Sequence, residues 1–160
     1  MKMKMLAWLL VIAITIPLHG QVAPAPAPDQ QALLKSNDPK LAANKKLVYD
    51  FWREVLEARH LDLAEKYMRE DYIQHNPNAA TGVKGFKEYF SKQGGPLPIE
   101  PRIKRPLISI IAEGDLVMLD FASVNKDPKD STKTYTTTWF DVFRIKDGKI
   151  AEHWDPALKQ

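Results

Sequence analysis

A single carboxylate interrupts an apolar stripe near the C-terminal end of the 160-residue chain. If residues 133–145 form a β-strand, alternation places six side chains on one face: Tyr135, Thr137, Trp139, Asp141, Phe143 and Ile145. An aspartate among such neighbours is unfavourable unless it is paired or protonated. Desolvation raises the pKa of a carboxyl group toward the range that is useful for proton transfer, so Asp141 is a candidate general acid or base. The alternative is a structural aspartate that accepts hydrogen bonds from the backbone or from a tryptophan.

The hairpin after this strand decides whether other titratable groups join Asp141. A two-residue turn at positions 147–148 would turn His153 and Asp155 to the opposite face of the sheet. A three-residue loop over positions 146–148, ending in a glycine bulge, would keep both on the face of Asp141. The two registers exclude each other because a shift of one residue exchanges the faces. We favour the three-residue loop, which gathers Asp141, His153 and Asp155 as a catalytic acid/base set.

A substrate pocket beside this set would be walled by aromatic rings and by one more histidine. His75 ends a short extended segment directly before Asn76 and Pro77, where side chains often border a pocket. A histidine in a surface turn is the alternative reading of this position. The residues that we expect to bind substrate are His75, Trp52, Tyr135, Trp139 and Phe143.

Cofactor chemistry has little support in the sequence. A metal site built from His75, His153, Asp141 and Asp155 is conceivable, but the closely spaced ligand pairs of typical metal sites are missing. The chain has no glycine-rich phosphate loop and no nucleophile elbow. It also has no cysteine, which excludes disulfides, thiolate ligands and a cysteine nucleophile. We therefore expect neither a metal nor an organic cofactor.

Three helices are predicted ahead of the strands that carry these residues. Asp38 and Pro39 provide a capping side chain and a first-turn proline, and apolar residues then recur at helical spacing to about residue 59. A shorter helix is predicted over residues 61–68 and a third over residues 82–93. A short extended segment, residues 72–75, lies between the second and the third helix.

The rest of the chain has the pattern of an antiparallel sheet. Strands are predicted over residues 102–112 and 116–125, joined by a turn at 113–115, and then over residues 133–145 and 150–155. Helices followed by a run of strands indicate an α+β fold. A curved, mainly antiparallel sheet that closes over the long helix would form a cone with an open mouth, which is a common ligand site.

Two stretches of sequence resemble a known family. Residues 71–77 (DYIQHNP) followed by 82–86 (GVKGF) are similar to the mid-domain signature of SnoaL-like proteins. Residues 140–150 followed by 151–155 (AEHWD) resemble the C-terminal hairpin of the same proteins. The resemblance covers roughly residues 40–156. It places the chain in the nuclear-transport-factor-two-like superfamily.

The resemblance implies a cone-shaped fold with three N-terminal helices packed on the curved sheet. SnoaL-like cyclases close a polyketide ring by intramolecular aldol condensation without metal or cofactor, and an acidic residue on the sheet acts as acid and base. By position, Asp155 and Asp141 would occupy the catalytic strand positions. An aspartate at position 141 departs from the pattern of the polyketide enzymes, so the exact reaction stays open.

The N-terminal segment, residues 1–20, has the three-part pattern of a secretory signal. Lys2 and Lys4 precede an apolar run over residues 6–16, and Gly20 follows. The run is short for a membrane span, although an uncleaved anchor is the alternative. We expect cleavage after Gly20, or secondarily near residues 23–25, and a secreted or periplasmic protein without stable membrane insertion.

A linker and one domain follow the signal. Residues 21–37 are rich in proline and alanine, a composition that favours an extended spacer and buries little surface. Residues 38–160 form the SnoaL-like domain. One domain is the usual number for a chain of this length.

The charge of the chain and the pattern of its strands indicate which macromolecules it binds. Without Lys2 and Lys4 the chain has 21 basic and 20 acidic residues, and its only local basic run is Arg102, Lys104 and Arg105. We interpret that run as the solvated edge of a strand and expect no binding to nucleic acid. The strands carry few charges, which predicts a homodimer through the open face of the sheet.

Two functions remain open at the level of sequence. The first is an exported, cofactor-free acid/base enzyme that acts on a small carbonyl compound by aldol cyclisation or isomerisation. The second is a non-catalytic module of the cell envelope that binds a small hydrophobic or carbonyl-containing molecule. A carboxylate that shares a cavity with open volume would favour the enzyme, because binding alone does not need it.

Overall fold

The computed structural model describes residues 22–160, which fold as three helices packed on a five-stranded mixed sheet. The helices are α1 (Pro39–Phe51), α2 (Ala64–Tyr67) and α3 (Gly82–Phe90). The strands are β1 (Met68–Gln74), β2 (Leu107–Glu113), β3 (Leu116–Lys126), β4 (Thr134–Lys146) and β5 (Lys149–Trp154). The predicted α+β fold is confirmed.

The sheet is ordered β1-β5-β4-β3-β2, with β1 parallel to β5 and the other neighbours antiparallel. Strand β2 begins at Leu107, five residues later than predicted, because Pro106 offers no amide hydrogen to the ladder. Strand β1 is longer than the predicted segment at residues 72–75. Its first half contains polar residues on an exposed edge, which do not show the apolar alternation of a strand.

Helix α1 begins where the sequence places its cap. The Asp38 carboxylate accepts hydrogen bonds from the backbone N–H groups of Lys40 (2.7 Å) and Leu41 (3.4 Å). The helix continues directly into a π-helix, Trp52–Glu57, after which the N–H of Ala58 bonds to a carbonyl five residues earlier. The predicted extent of the long helix is confirmed, whereas its change of winding has no signal in the sequence.

The other two helices are shorter than predicted. A 3₁₀ turn, Leu61–Leu63, leads into the single turn of α2, and a second 3₁₀ turn, Ser91–Gln93, follows α3. The core joins the helices to the sheet through the Phe51 ring. Its centroid lies 5.8 Å from that of Phe86 on α3 and 5.9 Å from that of Phe143 on β4. Each such buried ring stabilises the fold by about 1.5–3 kcal/mol.

The β4–β5 hairpin differs from the register that we favoured. Lys146 pairs with Lys149 across a two-residue turn, in which Asp147 (φ 53°) and Gly148 (φ 71°) both have positive φ. This is the type I′ geometry that matches the twist of a hairpin. The predicted three-residue loop is therefore wrong.

A β-bulge at Ala151 compensates for this turn. Arg144 pairs with Glu152 while Ile145 pairs with Ile150, so Ala151 is an extra residue on β5. The bulge reverses the alternation, and beyond it His153 pairs with Phe143. His153 therefore lies on the face of Asp141, as we predicted, but for a different physical reason.

The predicted signal at residues 1–20 lies outside the described residues, and the second half of the predicted linker packs on the domain. The N–H of Ala27 donates to the carbonyl of Leu107 (2.8 Å). The Gln30 side chain accepts a hydrogen bond from the N–H of Ile103 (3.0 Å) and donates one to its carbonyl (2.9 Å). A free spacer would make none of these contacts. Within residues 22–160, no helix has the length and apolar character needed to cross a membrane.

Candidate active site

A cavity of about 470 Å³ lies between the π-helix, the sheet and α3. Three of its wall residues are on the π-helix, namely Trp52, Leu56 and Glu57. The remaining wall residues come from the sheet, from α3 and from neighbouring loops: Gln74, Asn76, Ala79, Tyr89, Phe90, Gln93, Arg105, Trp139, Asp141, His153 and Asp155. The apolar and aromatic walls and the few converging polar groups are typical of a small-molecule site.

Asp141 and His153 form a buried pair in the wall of this cavity. The Oδ1 atom of Asp141 lies 3.0 Å from Nε2 of His153, and the two residues are 4% and 8% exposed. The ring of Phe143 lies under the imidazole, with 4.7 Å between the ring centroids. The second carboxylate oxygen of Asp141, Oδ2, is buried and has no hydrogen-bond partner among the described residues. Oδ2 is therefore the Asp141 oxygen that remains for a hydrogen bond to a bound molecule.

Gln74 determines which nitrogen of His153 carries a proton. The Oε1 atom of Gln74 accepts a hydrogen bond from the backbone N–H of Asn76 (3.0 Å) and lies 3.0 Å from Nδ1 of His153. Because this oxygen can only accept, Nδ1 must donate. Nε2 and the Asp141 carboxyl group therefore share one proton, either as a neutral pair or as an imidazolium–carboxylate pair.

Asp155 is held as a second carboxylate beside the pair. Its Oδ2 atom accepts a hydrogen bond from Nδ2 of Asn76 (2.8 Å), and its Oδ1 atom accepts one from the N–H of Ala157 (2.9 Å). Oδ2 also lies 4.0 Å from Nδ1 of His153. These two donors fix the position of the Asp155 carboxylate at one end of the cavity.

These three side chains are also the candidate ligands for a metal ion. Asp141, His153 and Asp155 each offer one ligand atom, and the three atoms lie within 4.8 Å of one another. Both ring nitrogens of His153 are already engaged by protein oxygens, on Asp141 and on Gln74. A metal ion would have to replace one of these two hydrogen bonds.

The negative charges also act on Tyr72, which lies beneath Gln74. Its hydroxyl group accepts a hydrogen bond from Nε2 of Gln74 (2.9 Å). Burial raises the pKa of Tyr72 well above its ordinary value, and the nearby charges of Asp155 and Asp141 raise it further. The phenol therefore stays protonated at neutral pH and serves to position Gln74.

Arg105 lies in the cavity wall and not on a solvated strand edge as we predicted. Its guanidinium carbon is 4.8 Å from the ring centroid of Phe121, 5.8 Å from that of Trp139 and 5.9 Å from that of Trp52. The chain at this point is not part of β2, so the residue is free of the strand alternation on which we based the prediction.

The structure brings together five of the eight side chains that we predicted for the site. Trp52, Trp139, Asp141, His153 and Asp155 all line the cavity. Phe143 is buried behind the cavity and supports His153 from below.

Two predicted substrate-binding residues lie elsewhere. His75 is on the outer face of the sheet, where its ring stacks on Trp154 with centroids 4.8 Å apart and an interplanar angle of 5°. Alternation along β1 turns Tyr72 and Gln74 inward and therefore turns His75 outward. Tyr135 is 44% exposed near the far end of β4, opposite Asn125, and does not line the cavity.

Sequence reasoning missed Gln74, Asn76 and Arg105. The alternation that excludes His75 also selects Gln74, since Tyr72 is an apolar inward-facing residue two positions earlier. That signal was present in the sequence, but a histidine has more obvious chemistry than an amide. Arg105 has no such signal, because its place depends on a loop that packs against the π-helix.

Comparisons with known proteins agree on one family and one fold. The family model for the SnoaL-like domain matches residues 48–153. No curated protein sequence matches the chain. A SnoaL-like proposed polyketide cyclase from Jannaschia sp. is 15% identical, with a TM-score of 0.52 over 76% of this chain and 91% of that chain.

Two further solved structures are similar. A proposed polyketide cyclase from Acidithiobacillus ferrooxidans is 19% identical, with a TM-score of 0.50 over 76% of this chain and 89% of that chain. An LEH-like epoxide hydrolase from M. tuberculosis is 15% identical, with a TM-score of 0.52 over 74% of this chain and 81% of that chain. At these identities the likeness shows the fold, and these neighbours differ in the activity that they are named for.

Proposed function

Since this chain belongs to the SnoaL-like domain family, we propose that it is a cofactor-free acid/base enzyme that moves a proton at a carbon next to a carbonyl group. Aldol cyclisation and isomerisation both begin with this step. The fold itself hosts unrelated chemistries, so the proposal rests on the site. The observation that carries it is the buried Asp141–His153 pair, which opens on a cavity large enough for a small ring compound.

The pair can take a proton without help from solvent. In the imidazolium–carboxylate form, Nε2 of His153 donates to Oδ1 of Asp141, which leaves Oδ2 as the free base. Removal of a proton from the substrate carbon gives a neutral Asp141 carboxyl group beside the imidazolium, and an enolate. The same carboxyl group then returns the proton to another carbon, or to the alkoxide oxygen that forms when the enolate attacks a second carbonyl group.

Asp155 makes the imidazolium form more favourable. Its carboxylate is 4.0 Å from Nδ1 of His153, on the opposite side of the ring from Asp141. An imidazolium between two carboxylates is stabilised by both, and this attraction is strong in a site of low dielectric constant. Asp155 thus offers a second negative charge to any positive charge on the His153 ring.

The proposal is tested by hydrogen–deuterium exchange of 2-tetralone in D₂O, followed by proton NMR. We expect the protein to accelerate loss of the α-proton signals. Asp141→Asn keeps the shape of the site and removes the proton acceptor, so the rate should fall by roughly 10²–10⁴-fold. Asp71→Asn is the matched control, because its carboxylate is 70% exposed and lies outside the cavity.

Two results would contradict the enzyme. Equal exchange rates for wild type and Asp141→Asn would remove the acid/base role of Asp141. Binding of 2-tetralone without any accelerated exchange would favour the alternative, a non-catalytic binding module of the cell envelope. The shared cavity wall of Asp141 and Asp155 supports the enzyme over this alternative.

We also propose that the protein is exported and that the signal at residues 1–20 is removed. The support is the sequence pattern of Lys2 and Lys4, the apolar run and Gly20. N-terminal sequencing of protein from the periplasm or the medium should give a chain that begins after Gly20. A secreted chain that begins at Met1 would refute the cleavage.

A further inference from the structure

Arg105 presents a cationic group to the cavity without an anionic partner. No carboxylate oxygen of residues 22–160 lies within 4.0 Å of its guanidinium nitrogens, and its side chain makes no hydrogen bond to these residues. Arg53, Arg69 and Arg144 form ion pairs with carboxylates, whereas Arg59 and Arg102 form none within the described residues. Arg105 is the unpaired arginine that lines the cavity. Arg105 is half-buried, and none of the five N–H donors of its guanidinium group is used by a side chain or carbonyl of residues 22–160, so all five are available to a bound molecule.

The backbone around Arg105 is fixed, so its side chain starts from a defined point. The Glu57 carboxylate at the end of the π-helix accepts hydrogen bonds from the N–H groups of Lys104 and Arg105, both at 2.8 Å. Ile103 lies two residues before Arg105. The Gln30 side chain accepts a hydrogen bond from the N–H group of Ile103 and donates one to its carbonyl group. The Glu57 carboxylate thus holds the loop of Arg105 through its backbone, and it forms no ion pair with the Arg105 side chain within 4.0 Å.

The guanidinium group of Arg105 lies near the Asp141–His153 pair on the same face of the sheet. It is stacked over Phe121, which pairs with Trp139 across β3 and β4. Asp141 is two residues beyond Trp139 on the same face, a distance on the order of 7 Å. The Trp139 indole lies between the cation and the base, and Trp52 faces the same space.

We propose that Arg105 is the anion-binding residue of this cavity, and that the substrate is a planar ring compound with a carboxylate group. The planar fork of a guanidinium matches a carboxylate through two parallel hydrogen bonds. The substrate ring lies between Trp52 and Trp139, and the far end of the molecule reaches Asp141. This second half of the inference rests on the proposed acid/base function, whereas the anion site does not.

The charges of the cavity also orient such a substrate. Asp141 and Asp155 place two carboxylates at one end and would repel a third there. At the other end Arg105 attracts a carboxylate, and the single Glu57 carboxylate of that end is bound by the N–H groups of Lys104 and Arg105. A neutral ring compound has no such preference and can bind in either direction. Arg105 therefore contributes specificity as well as affinity.

Isothermal titration calorimetry with 2-naphthoate and with neutral 2-naphthamide tests the anion site. We expect wild type to bind 2-naphthoate more tightly than 2-naphthamide. Arg105→Met should weaken binding of 2-naphthoate by roughly 10- to 100-fold, the loss of a charge-assisted hydrogen-bonded pair, and should change 2-naphthamide little. Arg105→Lys keeps the charge without the fork and should lose less. Arg102→Met is the matched control, because Arg102 is exposed on the same loop.

Equal affinity of wild type for the two compounds, or unchanged binding of 2-naphthoate by both Arg105 variants, would overturn the anion site. The folding of each variant is checked by circular dichroism, and Arg105→Lys provides the test if Arg105→Met unfolds. Asp141→Asn should keep the preference for 2-naphthoate. A preserved preference without proton exchange by wild type would contradict the enzyme and leave the anion site standing.

Discussion

The amide of Gln74 is as important to the proposed chemistry as the titratable groups around it. Its oxygen faces Nδ1 of His153 and is kept in that orientation by the N–H of Asn76, while its nitrogen donates to Tyr72. An imidazole without such an acceptor can place its single proton on either nitrogen. Gln74 therefore ensures that Nε2 faces Asp141 with the proton that the two groups share.

Gln74→Leu should loosen this control. We expect ¹⁵N NMR of the His153 ring to show the Nδ1-protonated form in wild type and a mixture of tautomers in the variant when the ring is neutral. Exchange of 2-tetralone should slow by about fivefold, since one net hydrogen bond is worth about 1 kcal/mol. Gln160→Leu is the control at an exposed position. A variant with unaltered tautomer signals would show that Gln74 only fills space.

The sequence was informative about the catalytic strand and uninformative about its neighbours. Asp141 stands out because alternation along one strand reveals a carboxylate in an apolar stripe. Gln74 and Asn76 meet His153 and Asp155 across 79 positions of the chain, through the parallel pairing of β1 with β5. No local pattern reports which edge strand pairs with β5, so these two partners could not be assigned.

Among the elements, the predicted linker has a structural role in the site. Gln30 joins three groups: the N–H and carbonyl of Ile103 and the hydroxyl group of Tyr49, which donates to its Oε1 atom (2.9 Å). Burial raises the pKa of Tyr49, so its hydroxyl group remains a donor at neutral pH. The segment before α1 thereby fixes the loop that leads to Arg105.

Gln30→Ala should destabilise the protein and disturb the anion site together. The variant leaves the N–H of Ile103 and the hydroxyl group of Tyr49 without their partner. Each of these groups that stays buried without a new partner destabilises the folded state by about 1–3 kcal/mol. Urea unfolding should show a lower midpoint, and calorimetry should show weaker binding of 2-naphthoate. Gln160→Ala is the control. Wild-type stability in Gln30→Ala would mean that the segment packs without contributing.

At the scale of the whole molecule, the outer face of the sheet exposes apolar side chains. Ile111 (53% exposed) and Phe140 (39% exposed) lie there, and Asp120 pairs with Phe140 in the middle of the face. One carboxylate oxygen of Asp120 is buried without a hydrogen-bond partner among residues 22–160. We propose that a second copy of the chain covers the apolar part of this face, around Ile111 and Phe140.

Light scattering at micromolar concentration should give the mass of a dimer. Phe140→Lys adds a charge to the centre of the face and should produce a monomer. Ile99→Lys is the control, because Ile99 is 41% exposed but lies outside the sheet. A monomeric wild-type protein would refute the dimer.

Asp120 also makes stability depend on pH in a defined direction. Burial raises the pKa of Asp120 above its ordinary value in the folded state. The penalty is therefore absent below the pKa of the unfolded state, grows as pH rises from the unfolded to the folded pKa, and is complete above the folded pKa. Asp120→Asn should be more stable than wild type at pH 7, by a margin that solvent screening keeps below about 1 kcal/mol, and equal to it near pH 3. Urea unfolding at the two pH values measures this difference, and an equal difference at both would contradict the titration of Asp120.

The bulge at Ala151 makes the face on which His153 lies depend on the number of residues in the hairpin. Asp141 and His153 are 12 positions apart, and in a plain hairpin with a two-residue turn that even number would put them on opposite faces. The number of residues between Asp141 and His153 decides whether their side chains share a face. One extra residue has the same effect in the turn as in strand β5. Deletion of Ala151, or insertion of one glycine after Gly148, should each abolish exchange of 2-tetralone, and the two changes combined should restore it. A single insertion or deletion in this hairpin therefore moves His153 to the other face of the sheet, whereas an insertion paired with a deletion keeps it on the face of Asp141.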